Sequence, residues 1–231
     1  MIIAVEGADK AGKHTQVMRI VDYLNSKNIP TDTLDFPQYN SYWGGFIKDY
    51  LNGKFGTNTR DLPAEYTMLP YALDRQAHMP QIKQWHDMGG WFVFDRYTYS
   101  NAYSIAKLPR DQWNTKIKYL EDMEFNQMGI VRPDYNIYLY LPAKISYEMR
   151  HQGLKAYQNG KPDIHENDLK LLEDVADVYK TIASGNPRQW NVINEMKPDG
   201  SRMNPDEVFA TIRPVIDDLI SKQVIPDRLK G

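Results

Sequence analysis

Residues 2–15, Ile2-Ile3-Ala4-Val5-Glu6-Gly7-Ala8-Asp9-Lys10-Ala11-Gly12-Lys13-His14-Thr15, decide the fold. A short apolar run enters a glycine turn. Beyond the turn, Val17, Ile20, Val21 and Leu24 recur at helical spacing. Gly7 to Lys13 between them is a GxxxxGK phosphate loop, set between a strand and a helix as that loop requires. Backbone N–H groups in such a loop wrap phosphates, and the start of the helix adds positive potential. The glycines allow the tight turn and close approach to the ligand. Lys13 is placed to reach the terminal phosphates. The next position, normally the hydroxyl that binds Mg²⁺, is His14, followed by Thr15. We read His14 as a helix-surface residue, which leaves Mg²⁺ to phosphates, water and carboxylates. The expected nucleotide-binding set is Gly7, Ala8, Asp9, Lys10, Ala11, Gly12, Lys13, His14 and Thr15.

Outward from this loop, apolar runs alternate with helical stretches. Thr31–Phe36, Trp91–Phe94, Tyr135–Leu141 and Trp190–Ile193 read as further strands. Glu65–Asp87, Gln112–Met128, Glu166–Ala183 and Pro205–Ser221 read as helices. Strand–helix alternation predicts a parallel sheet covered on both faces, with ligands at the carboxyl ends of its strands. One domain over residues 1–231 is expected. Residues 151–163, HQGLKAYQNGKPD, break the pattern with two glycines, a proline and few apolar anchors. They read either as a linker or as a mobile lid over an anionic ligand, spanning about residues 150–164.

Composition narrows the classes. Against 30 acidic residues stand 28 Lys and Arg, a formal charge of −2, so bulk attraction to nucleic acid is absent. A mean hydropathy of −0.63 excludes a membrane-embedded chain. With no cysteine, thiol nucleophiles, disulfides and zinc–thiolate sites are ruled out, and a reducing cytoplasm fits. The first apolar run is too short for a signal segment. Tyr is unusually frequent, 16 against 7 Phe, and supplies stacking with a hydrogen-bonding handle.

Further motifs agree in order and spacing with one family. EGADKAGKHTQ, Asp35-Phe36-Pro37-Gln38-Tyr39, Tyr71-Ala72-Leu73-Asp74-Arg75, Asp95-Arg96-Tyr97 with Ser100-Asn101-Ala102, Arg132-Pro133-Asp134 and Asp163-Ile164-His165-Glu166 together resemble the thymidylate kinases. The resemblance runs from residue 2 to about 180. It implies a three-layer α/β P-loop fold with five parallel strands, a homodimer, and transfer of the γ-phosphoryl of ATP to dTMP with Mg²⁺. By the same resemblance, Arg96 grips the acceptor phosphate and Asp9 orients the sugar hydroxyl or holds Mg²⁺ through water. Tyr71 would stack on the pyrimidine and Arg75 donate to its exocyclic oxygen. Asn101 would read the base edge, Phe36 and Tyr39 flank the acceptor, and Tyr103 lie against the sugar. Asp95 and Glu166 join Asp9 as candidate metal residues, and Arg150 in the lid is favoured as the charge on the moving phosphoryl group. Tyr71 stands where the family often has Phe, and His14 where it often has Ser or Thr.

Three readings stay beside this one. A kinase of another deoxynucleotide such as dUMP differs by one methyl-sized contact, worth ~1–3 kcal/mol. A deoxynucleoside kinase would carry a carboxylate base after the motif of the first strand or after the second strand; Asp35-Phe36-Pro37-Gln38 does not look like that arrangement, and Arg96 better suits a phosphorylated acceptor. A non-catalytic nucleotide-binding protein would bind ATP without product.

Overall fold

The computed structural model describes residues 1–222 apart from Asn159. The predicted domain of 1–231 therefore runs into residues 223–231, which lie outside the described residues, as does Asn159 within the predicted lid.

Five strands form one parallel sheet in the order β2-β3-β1-β4-β5. They are β1 (Ile2–Gly7), β2 (Thr31–Asp35), β3 (Trp91–Asp95), β4 (Tyr135–Tyr140) and β5 (Trp190–Asn194). The helices are α1 (Lys13–Ser26), α2 (Tyr42–Leu51), α3 (Ala64–Asp87), α4 (Ala102–Ile105), α5 (Trp113–Glu121), α6 (Ala143–Glu148), α7 (Leu169–Gly185) and α8 (Pro205–Lys222). Side chains alternate across the sheet. Ile2, Ala4, Phe92 and Phe94 pack with Met68, Ala72, Leu171, Val175 and Tyr179 of α3 and α7. Ile3, Val5, Trp91 and Val93 pack with Val17, Ile20 and Leu24 of α1 and Ile212 and Ile216 of α8. The result is helix, sheet, helix, the three layers that the alternation predicts.

β1 is central and buried along its whole length. Its connection runs toward β2 while that of β4 runs toward β5, so a crevice opens at their carboxyl ends. Gly7 ends β1 at φ 149°, where a Cβ would sit 2.6 Å from the Leu139 carbonyl oxygen. Gly12, left-handed at φ 66°, starts α1.

The predicted strands match within a residue or two. The predicted Gln112–Met128 helix is α5 followed by a π-helical turn over Asp122–Gln127. Glu166 lies before α7, whose N-cap is Asp168, accepting from Leu171 N at 2.9 Å. Helix α2 went unpredicted because Gly44 and Gly45 sit in its first turn. A Cβ on Gly44 would meet the Gln38 carbonyl oxygen at 1.9 Å, so packing selects glycine there against helix propensity.

Candidate functional site

The crevice is a cavity of about 830 Å³. Asp9, Lys10, Gly12, Lys13, His14 and Thr15 line one wall. Gly7, Ala8 and Ala11 lie buried beneath them and contribute backbone. Lys13 is 7% exposed, and its Nζ donates to the Ala8 carbonyl at 2.7 Å. Burial, helped by Arg96 and Lys155 and opposed by Asp9 and Asp95, pushes its pKa down to about 8. His14 is a surface residue, 78% exposed at its side chain. Lys10 adopts φ 68°, and Arg202 Nη2 donates to its carbonyl at 2.6 Å. Loop strain of this kind is held by surrounding bonds.

Opposite stands Arg96, just past β3. It takes φ 67°, rare for a side chain with a Cβ, and its own N–H donates to Val5 O at 3.0 Å. The guanidinium donates to Gly7 O at 3.0 Å and to Asp9 Oδ1 at 2.8 Å. Burial works against its charge, but Asp9 and Asp95 keep it fully cationic, with a pKa well above the usual value. Burial likewise opposes ionisation of Asp9; Arg96, Lys155 and Lys13 overcome it and hold the carboxyl well below the usual range. The turn behind Arg96 is fixed by Glu6, fully buried on β1. Glu6 accepts from Ser100 Oγ at 2.5 Å, Tyr179 Oη at 2.9 Å and Tyr97 N at 3.0 Å.

A smaller chamber of about 40 Å³ adjoins the cavity, sharing Asp9, Phe36, Tyr39, Arg96, Lys155 and Tyr157 with it. Tyr71, Arg75, Tyr103, Asp163 and His165 also line it, with Leu51, Ser100 and the shared Pro37. Tyr103 donates to Asp9 Oδ2 at 3.2 Å. Phe36, 3% exposed, packs edge-on to Phe94 and His78. Asp74 holds the loop after β2, accepting from Gln38 N at 2.8 Å and Ser41 Oγ at 2.5 Å.

Arg75 is 1% exposed. Its Nε donates to Glu124 Oε2 at 2.9 Å and its Nη2 to Oε1, while Nη1 donates to Tyr97 O at 3.3 Å. Asn101, expected at the base edge, is not among the lining residues. Its Nδ2 donates to Glu124 at 3.0 Å, and its buried Oδ1 has no protein partner. Glu124 is thus the buried hub of this wall, and Thr98 adds a third donor at 2.7 Å. Replacing Glu124 with Ala strands the Arg75 charge in the core and should cost about 3–5 kcal/mol in urea unfolding. A loss below about 1 kcal/mol would show the pair is not a structural keystone.

Two charged residues are corrected by the structure. Arg150, expected over the phosphates, donates back to the Tyr147 carbonyl at 2.8 Å and lies 3.9 Å from that ring, off the cavity lining. Lys155 takes the place instead. It lines both chambers, lies 3.8 Å from Asp9 Oδ1, and faces the Tyr39 and Tyr157 rings. Glu166, expected near metal, pairs with Lys10 Nζ at 3.0 Å and accepts from Gln158 and from Asp163 N, 4% exposed and away from the cavity. Among the described residues no group of three or more His, Asp or Glu side chains is arranged to hold a metal ion. Of the three metal candidates, Asp9 and Asp95 line the cavity and Glu166 does not.

Asp163 carries a pH signature. Burial, with Asp9 and Glu166 nearby, pushes its carboxyl up to about 7 from 3.8. Between those values the native state holds a proton that the unfolded chain releases, so this group's contribution to stability falls as pH rises. The stability difference between wild type and Asp163→Asn, followed by urea unfolding from pH 4 to pH 8, should therefore move against wild type with rising pH. A flat difference would contradict the shift.

Comparison with known proteins identifies the family. The thymidylate kinase family model matches residues 5–201. A Mycobacterium tuberculosis thymidylate kinase is 29% identical over 218 residues, 93% of this chain and 98% of that one. A Plasmodium falciparum thymidylate kinase is 30% identical over 194 residues, 78% of this chain and 86% of that one. A solved thymidylate kinase from Candida albicans shares the fold, at TM-score 0.73 and 19% identity, over 97% of this chain and 94% of that one. A phosphate loop on the central strand and an arginine facing it across the crevice are thus joined to a family match over most of the length, and the chain belongs to the thymidylate kinase family.

Proposed function

We propose that the large cavity takes ATP against the Gly7–Lys13 loop and dTMP at its Arg96 end, the dTMP phosphate reaching Arg96 and its base turned toward the smaller chamber. The enzyme is an ATP-dependent dTMP kinase. A dTMP phosphate oxygen attacks the γ-phosphorus, the bond to the β–γ bridging oxygen breaks, and ADP leaves with that oxygen's electron pair. The attacking oxygen is already anionic near neutral pH, so no strong base is needed. Positioning and charge carry the step. Lys13 meets the β- and γ-phosphates from below. Arg96, held by Asp9, presents its remaining N–H groups to the acceptor phosphate. Lys155 adds positive charge from the lid between the two nucleotides. Phe36, Tyr39 and Tyr71 wall the acceptor, and Tyr103 with Asp9 closes the sugar side.

The residues also suit Mg²⁺. Asp95 lines the cavity beside Lys13, and His14 at 3.9 Å is its only ion-pair partner among the described residues, so a hard oxygen donor faces the phosphates. Bound there with ATP, the ion would neutralise phosphate charge. Asp9 is already engaged by two cations and a phenol, which makes it an anchor for Arg96 more than a ligand. A homodimer and a cytoplasmic location, expected from the resemblance and the lack of cysteine, complete the proposal; sedimentation velocity tests the first.

The observation that supports this reading best is the shared boundary of the two chambers, where Arg96, Asp9 and Lys155 line both. ADP release with ATP and Mg²⁺, measured in parallel for dTMP, dUMP, dCMP, dGMP and thymidine, tests it. Turnover highest with dTMP supports the reading. A dUMP preference moves the specificity, and turnover with thymidine alone defeats the phosphate role of Arg96. Binding of ATP with no turnover would favour a non-catalytic protein.

A further inference from the structure

Behind the acceptor chamber runs a polar chain with no part in the steps above. Lys107, just beyond α4, donates from Nζ to Tyr50 Oη at 2.6 Å and to Thr67 Oγ1 at 3.2 Å. Tyr50 Oη lies 2.8 Å from His165 Nε2. Burial, with Arg60 nearby, lowers the Lys107 pKa to about 7; below that pH it is an ammonium that only donates, so the tyrosine oxygen accepts from it and gives its own hydrogen to His165. Nε2 is then the acceptor, and the imidazole proton sits on Nδ1. The ring is neutral, since burial and the nearby Lys107 and Arg96 charges lower its pKa to about 3.

His165 is 6% exposed and pinned through its backbone N–H to Asp163 Oδ1 at 3.0 Å. Its ring lies nearly parallel to Tyr103, with centroids 5.0 Å apart and 15° between planes. Tyr103 also meets Arg96, 5.6 Å from the ring centroid, and its hydroxyl reaches Asp9. The histidine is therefore the back support of the Tyr103–Asp9 contact, and Tyr50 with Lys107 fixes its orientation.

We infer that His165 is a positioning residue of the acceptor site, held in one tautomer by the Lys107–Tyr50 chain so that its ring braces Tyr103 against Asp9. This rests on the reading of the Arg96 end of the cavity and the chamber beside it as the dTMP site. Two substitutions separate the ring from the hydrogen bond. His165→Gln keeps an acceptor for Tyr50 and loses the stacked ring; His165→Phe keeps a ring and loses the acceptor. For His165→Gln the KM for dTMP should rise about tenfold while the KM for ATP stays within about twofold. For His165→Phe the rise should be about threefold. A merely structural defect would lower kcat and leave both KM values in place.

The second readout needs no turnover. At pH 6, where Lys107 is charged and His165 neutral, ¹⁵N chemical shifts of the His165 ring in the free enzyme should show a bare Nε2 and a protonated Nδ1, and Tyr50→Phe should shift the Nε2 resonance. A protonated Nε2 in wild type, or equal KM values for dTMP in wild type and His165→Gln, overturns the inference alone. Failure of wild type to bind dTMP in calorimetry overturns the functional reading, and the assignment to an acceptor site with it.

Discussion

Lys13→Met should lower kcat by about 10³-fold or more, because it removes the fixed cation under the transferring phosphates. Methionine keeps the unbranched stem, so the buried position stays filled and the loss isolates the charge. The ammonium is 7% exposed and reaches the Ala8 carbonyl at 2.7 Å. It is thus paired with the loop itself and placed before any nucleotide arrives. Holding a cation there is unfavourable, and its pKa of about 8 reflects that. Phosphate oxygens stabilise the charged form, so ATP should bind more weakly to the variant as well. Steady-state kinetics with a circular-dichroism control checks this, and a kcat within about tenfold of wild type would remove Lys13 from the chemistry.

Lys155→Met should lower kcat about 10²-fold while Arg150→Met changes it by less than about threefold. The contrast follows from where the two residues lie. Lys155 borders both chambers, and its ammonium is held by Asp9 and the Tyr39 and Tyr157 rings. Its side chain is half exposed, and Tyr39, Asp9 and Asp95 outweigh its partial desolvation and raise its pKa, so it stays charged throughout the working range. Arg150 turns back onto Tyr147. Lysine is a point charge without the bidentate fork of arginine, so its contribution rests on position. Parallel kinetics on the two variants decide between them, and a larger loss in Arg150→Met would reverse the assignment.

Much of the fold was legible because β1, its loop and α1 carry a continuous apolar run, glycine punctuation and helical spacing without a break. The element order followed from the same alternation. The strand order β2-β3-β1-β4-β5 did not, since pairing depends on contacts far apart in sequence. In the site, Asp9, Lys13 and Arg96 were findable because a loop and a strand end mark their positions. Lys155 was not singled out because its segment has no periodicity, and one lysine in a glycine-rich stretch reads like another. Asn101 was expected at the base because it follows a recognisable motif. Its amide instead serves Glu124, which lies in a π-helical turn that no local pattern announces. Glu6 gave a fair signal, a carboxylate inside an otherwise apolar strand, since such a group must find donors when buried. His165 and Asp163 were visible only as parts of a motif, since what packs on them, Tyr50 and Tyr103 on His165 and Tyr157 on Asp163, follows from no local pattern.

Calorimetric binding of dTMP and thymidine to wild type and Arg96→Met tests the central claim most directly. Wild type should bind dTMP at least about 10²-fold more tightly than thymidine, reflecting a charge-assisted bidentate contact. Arg96→Met should bring the two ligands within about threefold of each other, with thymidine affinity little changed. If the variant kept the full preference for dTMP, the acceptor phosphate would be held elsewhere, and the placement of the two nucleotides across Arg96 would be wrong.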